Sequence, residues 1–553
     1  MSSGVVGIAV SGLNAAQAGI RTTQQNIANI NTAGYRRQEV VFTAEQPQGA
    51  GHGYLGSGVS VTEVRHQYSQ FLDTEVMLNQ SQLARHDEAS NRAAIIDKLL
   101  GNKASSLTPA MDQFFAAMQE VANDPTSSVP RQNLLAAGNN LSQRLNMLGN
   151  KLEDYRTGSN NDLADLSRQV NVLTSQIAQA NINVQRSITG NGRPANDVVD
   201  ARDHLVEELN KLVNVTRIDQ SDGTTSIYLG SGQSLVAGQT VFALGTSASS
   251  TDSLTHDLVI DLQPRMYSSL MADSSPVLGN NIQALGASAI TGGKIAGVLD
   301  YRENVLVPAI RDLNRVALSV AAEVNEQHRS GVDYNLAAGG DFFANPVQPL
   351  SGSTGRLQMN LSNDLLVDPV GYELSYNGAN YTITALSTSV SVTGNLAAVT
   401  AGKGFTLSAS TAPVAGDTWI IGDQARQMGM SVTTTAAIAA AAAGATGPGD
   451  NTNALALAGL QSGRILNNGT STYSMAYNQT VGRTASQSAQ SDLNRDAFQS
   501  LADAAVATRQ SLVGVNLDEE ASNLIRFQQA YQASARAIQV ANQIFDELLA
   551  AVR

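Results

Sequence analysis

Apolar and small residues recur in alternating three- and four-residue steps from the start of the chain: Val6, Ala9, Leu13, Ala16, Ile20, Thr23, Ile27 and Ile30. At 3.6 residues per turn these positions share one stripe, which predicts a helix of about 40 Å carrying a coiled-coil seam. The helix is expected to stop within Asn29-Ile30-Asn31-Thr32-Ala33-Gly34, because asparagine and glycine tolerate the left-handed backbone of a C-terminal cap. Tyr35 to Phe42 then reads as extended chain. The last forty residues repeat the arrangement. Leu524, Phe527, Tyr531, Ser534, Ile538, Ala541, Phe545, Leu548 and Val552 keep the same spacing, and Gln528, Gln529, Gln532, Gln539 and Gln543 fill the opposite face. Asn516 followed by Glu519 matches a capping box with Asn in place of Ser or Thr. Asp518, Glu519 and Glu520 occupy the first turn, where the helix dipole favours acids.

Between these ends the pattern changes period. Residues 70 to 155 are amphipathic with helical spacing, and breaks are expected at Asp124-Pro125 and Val129-Pro130, since a residue before proline is disfavoured in the α region. Leu163, Leu166, Val170, Leu173, Ile177, Ala180 and Val184 form a further helical stripe. Leu306, Leu313 and Val320 mark a helix beginning near Pro308 or a turn earlier, and Phe498, Leu501, Ala505, Thr508 and Leu512 mark the helix before the terminal one. Two blocks alternate instead with period two. Residues 212 to 290 contain Thr225-Ser226-Ile227-Tyr228-Leu229 and Leu258-Val259-Ile260-Asp261-Leu262 between Gly/Ser turns. Residues 340 to 432 contain Tyr372 to Tyr376 and Ala379 to Ile383 around Asn377-Gly378, a hairpin signal, and end on Thr418-Trp419-Ile420-Ile421. The expected fold class is mainly α with inserted β domains: terminal coiled-coil helices, a long helical-bundle rod and antiparallel β domains. The expected units are 1–45 with 515–553, 46–211 with 291–335 and 436–514, and the β blocks 212–290 and 340–432.

Composition narrows the classes of function. A chain of 553 residues implies roughly two to four domains. Only 15% of residues are charged and 5% aromatic, with Trp419 the single tryptophan, so cores must rest on Leu, Ile, Val and Ala. A net charge of −13 with no basic run longer than Arg36-Arg37 argues against nucleic-acid binding. The absence of cysteine removes disulfides, thiolate metal sites and Cys nucleophiles together. The N-terminal segment lacks a basic n-region and is interrupted by Ser11, Asn14 and Gln17, so neither a cleaved signal nor a membrane span is expected. On these grounds alone the default location is the cytoplasm.

No catalytic constellation survives inspection: GxSxG, HExxH and GxxxxGK[ST] are all missing. Thr291-Gly292-Gly293-Lys294 lacks the first glycine of a phosphate loop and reads as a turn entering a helix. His204 beside Asp200, Asp203 and Glu208 invites a metal reading, but ordinary i,i+4 pairs on a helix explain it as well. Asp219 to Gly223 has Gly230 where a calcium loop needs a bidentate Glu, so a hairpin turn is expected. No cofactor or metal is expected. The terminal stripes carry many small or polar positions, so a lone pair of such helices would bury little apolar surface and be marginal. Neighbouring copies could complete that burial, which points to polymer contacts.

Asn26-Ile27-Ala28-Asn29-Ile30-Asn31-Thr32-Ala33-Gly34-Tyr35-Arg36-Arg37 resembles the N-terminal signature of the flagellar rod, hook and hook-associated axial proteins. The run from Val515 to Tyr531 closely resembles the type-1 hook-associated members of that family, and Asn196-Asp197 through Arg202-Asp203 and Gly449-Asp450-Asn451 with Ala454-Leu455 are further points of similarity. The resemblance touches both ends and several internal points and leaves the β insertions uncovered. It implies a structural subunit of the hook–filament junction, not an enzyme, that leaves the cell by type III export and so overturns the cytoplasmic default. The implied location is the extracellular flagellum, reached without a cleaved signal peptide. The β domains are implied to face outward. Implied partners are further copies of the chain in a helical ring, the hook protein, hook-associated protein 3 and a cytoplasmic export chaperone, with no nucleic acid and no membrane insertion. The implied assembly residues are Val6, Leu13, Ile20, Ile27, Asn29, Ile30, Asn31, Thr32, Gly34, Tyr35, Leu524, Phe527, Tyr531, Ile538, Phe545 and Leu548. The chaperone is expected on residues 515 to 553 through Leu524, Phe527, Tyr531, Ile538 and Phe545. Two alternatives are another axial protein, such as hook protein or hook-associated protein 3, and an axial protein with an enzymatic insert.

Overall fold

The computed structural model describes residues 2–32, 35–50, 53–103, 105–188, 195–230, 232–249, 252, 254–272, 278–286, 289–368 and 370–552. A rod of helices forms its body. The helix Gln70–Gly101 lies antiparallel to Tyr473–Val513: Arg509 faces Asp73, His86 stacks on Phe498 at 4.9 Å, and the Tyr477 hydroxyl donates to the Leu100 carbonyl at 3.0 Å. Thr108–Asn123 ends one residue before Asp124-Pro125, as the proline requires. The next break does not occur. Ser128–Ser187 runs unbroken for 60 residues with Pro130 in its first turn, where an N–H has no intrahelical acceptor and the missing donor costs nothing. The helix expected near Pro308 begins earlier, at Gly293. Its first segment, Gly293–Tyr301, passes through one π-helical turn, Arg302–Leu306, into Val307–Arg329. That wider turn accommodates the proline that an α-helical interior would reject. Gly293 has φ +80°, and a Cβ there would lie 2.5 Å from the Leu212 backbone, so the glycine pair is a helix entry and not a phosphate loop.

One expected stripe is only partly inward: Ala505 is buried and Phe498 packs on His86, but Leu501, Thr508 and Leu512 face solvent. Tyr473–Val513 buries Tyr473, Ala476 and Tyr477 in its first turns, but from there on it buries only Thr480, Thr484, Ser488, Ser491, Ala502 and Ala505, while Leu501 and Leu512 are 51% and 59% exposed. The partner helix Gln70–Gly101 also buries small residues, Ser81, Ala89, Ser90 and Ala93. Close approach of the two backbones favours small side chains at the contact and turns the leucines outward.

Three cores follow from this scaffold. In the rod, Phe114, Phe115, Phe342 and Phe343 meet ring to ring at 5.0 to 5.6 Å. The first β unit places antiparallel sheets against Leu163, Val170 and Ile177 of the 60-residue helix, burying Ile227, Leu229, Val236 and Ile260. Asp219 to Gly223 forms the hairpin turn there, with Gly223 at φ +84°. The second β unit is a five-stranded sheet, Val347–Pro349, Thr418–Ile421, Tyr372–Tyr376, Tyr381–Ala385 and Ser391–Gly394 in that order, beside a two-stranded ribbon. Trp419 and Ile421 point inward from one strand, as period two demands, and the Trp419 indole donates to the Gly355 carbonyl at 3.1 Å. The hairpin at Asn377-Gly378 has a four-residue loop and not two. The Asn377 side chain accepts from the Ala379 and Asn380 N–H groups, an Asx turn that replaces the tighter alternative. The expected division after residue 45 also falls inside a hairpin, Gln38–Ala44 paired with Val59–His66.

His328 is fully buried in the rod and satisfied at both nitrogens. Nδ1 lies 2.7 Å from the Gly340 carbonyl, and Nε2 accepts from the Ala439 N–H at 2.9 Å, which fixes one neutral tautomer. Burial holds this imidazole below its ordinary range. The folded state therefore binds this proton more weakly than the unfolded chain. The stability that depends on neutral His328 is complete above the unfolded value near 6.5 and declines as pH falls below it, by up to ~1.4 kcal/mol per pH unit until the folded value is reached. Thermal melts at pH 7 and pH 5 should fall further for the native chain than for His328→Gln; equal drops would refute the assignment.

Candidate assembly interface

The two ends of the chain pair as antiparallel neighbours, Ser2–Ala28 against Leu517–Val552. The small seam positions are the buried ones: Ala9, Ala16 and Thr23 on the first helix and Ala541 on the second. Two glycines set the close approach. A Cβ on Gly12 would lie 3.0 Å from Ser534 Oγ, and one on Gly19 would lie 2.7 Å from the Phe527 ring. Val6, Leu13, Ile20, Ile27, Leu524, Phe527 and Ile538 are half-buried, whereas Ile30, Tyr531 and Phe545 are exposed. Asn29 and Thr32 are turn formers: Asn29 donates to the Gln25 carbonyl and accepts from Thr32 Oγ1, and Asn31 lies exposed between them. Gly34 lies outside the described residues, as does the side chain of Leu548.

At the base of the pair sits a residue that apolar spacing could not find. Asn26 is 1% exposed and uses both ends of its amide. It donates to the Gln38 carbonyl (2.9 Å) and to Glu520 (3.1 Å), and accepts from the Tyr35 hydroxyl (2.8 Å) and the Gln38 N–H (3.0 Å). Glu520, also buried, takes a second bond from Arg37 at 2.8 Å. Burial, with the carboxylates of Asp197, Asp200 and Glu520 adding to it, pushes the Tyr35 phenol above its ordinary range and keeps it a donor. The expected capping box is half formed. Asn516 accepts from the Asp518 N–H at 2.9 Å, but Glu519 turns away to pair with Arg37 at 2.8 Å.

Below this lies a joint of charged groups. Arg36 bridges Asp73 (3.2 Å) and Asp203 (3.1 Å), Arg217 reaches Asp203 at 2.6 Å, Arg202 stands 3.3 Å from it, and His66 faces Asp200 at 3.2 Å. Arg509 on the penultimate helix adds Glu207 at 2.9 Å. Burial pushes the Asp73 carboxyl up, against the opposing pull of Arg36 and Arg509. Asp200 and Asp203 thus serve guanidinium and imidazole groups, and among the described residues no cluster of three or more His, Asp and Glu side chains could hold a metal ion. No helix among those residues is long and apolar enough to cross a membrane.

Residues 93–343 match the family model for the flagellar hook-associated protein FlgK helical domain, and residues 510–551 match that for the flagellar basal body rod FlgEFG protein C-terminal region. Flagellar hook-associated protein 1 of Escherichia coli K12 is 31% identical over 99% of both chains. The chain belongs to the flagellar hook-associated protein 1 family. Its relative of the same name from Salmonella typhimurium LT2 is 29% identical over 99% of each chain, and that from Bacillus subtilis 168 is 23% identical over 97% of this one. The fold is shared with the flagellar hook junction protein FlgK of Burkholderia pseudomallei, at a TM-score of 0.62 and 22% identity over 79% of this chain and all of the other. The helical-domain match covers most of the rod, the first β unit and the Asp200, Asp203 and Arg217 side of the charged joint, and the basal-body-rod match covers mainly the C-terminal helix.

Proposed function

We propose that this chain is a structural subunit of the hook–filament junction of the bacterial flagellum, without catalytic activity, and that it polymerises through its paired terminal helices. One observation carries the polymerisation reading. The pair uses its small residues inward and leaves Val5, Ile8, Val10, Ile525, Val540, Ile544 and Phe545 between 41% and 56% exposed, far more apolar surface than a solitary helical pair needs to show. Packing copies side by side in a helical ring removes that surface from water.

In this reading the terminal helices with the Gln38–His66 hairpin make the inner assembly unit, the helices form a surrounding rod, and the blocks 212–290 and 340–432 are the outer β domains. The chain reaches the cell exterior by type III export without a cleaved signal, contacts hook protein on one side and hook-associated protein 3 on the other, and neither inserts into membranes nor binds nucleic acid. The exposed C-terminal helix is the segment an export chaperone would cover beforehand. Deleting residues 515–553 should leave the rod folded, abolish chaperone co-purification and leave cells with hooks that release unpolymerised flagellin. Retained chaperone binding would sink that assignment, and retained filaments would sink the assembly role. Immunolabelling at the hook-proximal face separates this subunit from hook-associated protein 3.

A further inference from the structure

Leu493, Leu501 and Leu512 of the helix Tyr473–Val513 are each more than half exposed. At 3.6 residues per turn they share one face with Ala497, Ala504 and Thr508, which are exposed as well. No charged residue stands on that face across about 30 Å of helix. One exposed leucine needs no explanation, but three on an uncharged face mark a contact surface. The contacts with Gln70–Gly101, Phe498 on His86 and Arg509 on Asp73, are made from another side of the helix. Asp496 and Asp503 edge the face, and the apolar exposure continues to Leu517 at the start of the terminal helix.

The helix Gln70–Gly101 separates this face from a groove of about 640 Å³ at the same height on the rod. Ser128–Ser187, Asn196–Leu212 and Gly293–Tyr301 bound the groove, and Val172, Leu173 and Leu212 give it apolar surface. Bonds to the intervening helix fix the level. Asn210 donates to the Met77 carbonyl at 2.6 Å and Gln82 to the Thr291 carbonyl at 2.9 Å. Within the same stretch of that helix, Asp73 and His86 meet Arg509 and Phe498. Arg168 and Lys211 at the groove are paired with Asp165 and Glu208. Lys294 is exposed and has no acidic partner among the described residues, so the groove holds three cations against two acids.

We propose that the leucine face of one copy docks in this groove on a second copy, giving the rod a head-to-tail lateral contact of its own. The inference rests on the polymerisation reading above and adds a surface outside the terminal helices. Two different surfaces held apart by one helix do not meet within a chain, but they meet between copies set side by side. Such a heterologous contact propagates round a ring or helix, whereas a patch that matches itself closes as a dimer. Leucines spaced by alanine and threonine form a ridge that lets the groove walls approach closely. Lys294 then faces the edge that carries Asp496 and Asp503, and the same edge disfavours nucleic acid or an anionic lipid surface as the occupant.

The chain has no cysteine, so introduced thiols report single positions. Ala504→Cys lies on the face and Gln169→Cys on the groove, both at exposed sites. The full-length chain carrying one or both changes is expressed in cells, and their sheared flagella are treated with a short bismaleimide and blotted for the chain. The expected result is a ladder of multimers from the double variant and monomers from each single one. Adding Leu501→Glu should weaken the ladder at least about tenfold while leaving the thermal melt unchanged, since Leu501 faces solvent in the free chain. Dimers from Ala504→Cys alone, or a ladder indifferent to Leu501→Glu, overturn the proposal. Double-variant chain present in the flagella without a ladder overturns this contact and leaves the polymerisation reading standing. Absence of the native chain from flagella overturns both.

Discussion

Asp203→Ala should destabilise the joint between the terminal helices and the rod by about 3–5 kcal/mol, the usual cost of removing one partner of a buried ion pair. Asp203 is 4% exposed and faces three guanidiniums: Arg36 from the N-terminal signature, Arg202 from its own helix and Arg217 from the first β unit. Without it those cations remain crowded and largely desolvated, so the loss exceeds that of one hydrogen bond. The damage should be local before it is global. Hydrogen exchange ought to accelerate at residues 35–38 and 215–219, while Phe114 and its neighbours in the rod core stay protected. Lys151→Ala, which removes an exposed pair with Asp154, should change stability by less than about 1 kcal/mol and provides the contrast. A loss below ~1 kcal/mol for Asp203→Ala in denaturant titration would show that the network does not hold the joint.

How far the sequence announced this structure depends on the kind of interaction involved. The terminal helices were legible because Val6 to Ile30 and Leu524 to Val552 repeat at helical spacing, and spacing is a local property. Strands such as Thr225–Leu229 and Thr418–Ile421 were legible for the same reason. Burial face was not always so. Leu501, Ala505 and Leu512 look like one seam, yet of these the helix buries only Ala505, with Ala502 beside it, because closeness to the helix Gln70–Gly101 selects for small volume over apolarity. The joint was the least legible part. Arg36 and Asp203 lie more than 160 residues apart, and ion pairs leave no periodic trace along a chain. The same holds for Asn26, whose side chain couples the first helix to Glu520 near the far end. Part of the joint does stand within the segments that carry the family resemblance, and the structure gives the physical reason: Asn26, Tyr35, Arg36 and Arg37 from the first segment meet Asp200 and Asp203 from the second and Glu519 and Glu520 from the third, while His66, Asp73, Glu207, Arg217 and Arg509 lie outside them.

Gly19→Leu should abolish assembly while sparing the rod. Any Cβ at this position meets the Phe527 ring at 2.7 Å, and Phe527 cannot simply yield, since its ring packs beside Phe42 at 6.1 Å and beneath the Arg526 guanidinium. Overpacking of this kind costs about 1–3 kcal/mol. In a large core that would be absorbed, but the terminal pair buries few residues, so the same penalty is enough to separate its helices. The expected phenotype is loss of motility, with hydrogen exchange rising across residues 2–28 and 517–552 and an unchanged melting transition for the rod. Gly482→Ala, on the rod where the added methyl meets nothing within 4 Å, should leave motility intact. The decisive measurement is the double variant. If the clash with Phe527 is the cause, Gly19→Leu combined with Phe527→Ala should recover pairing that Gly19→Leu alone has lost, giving a favourable coupling between two residues some five hundred positions apart. If the double variant is as defective as the sum of the two single changes, the helices do not meet at this contact in the working state, and the seam described here is not the one that assembles.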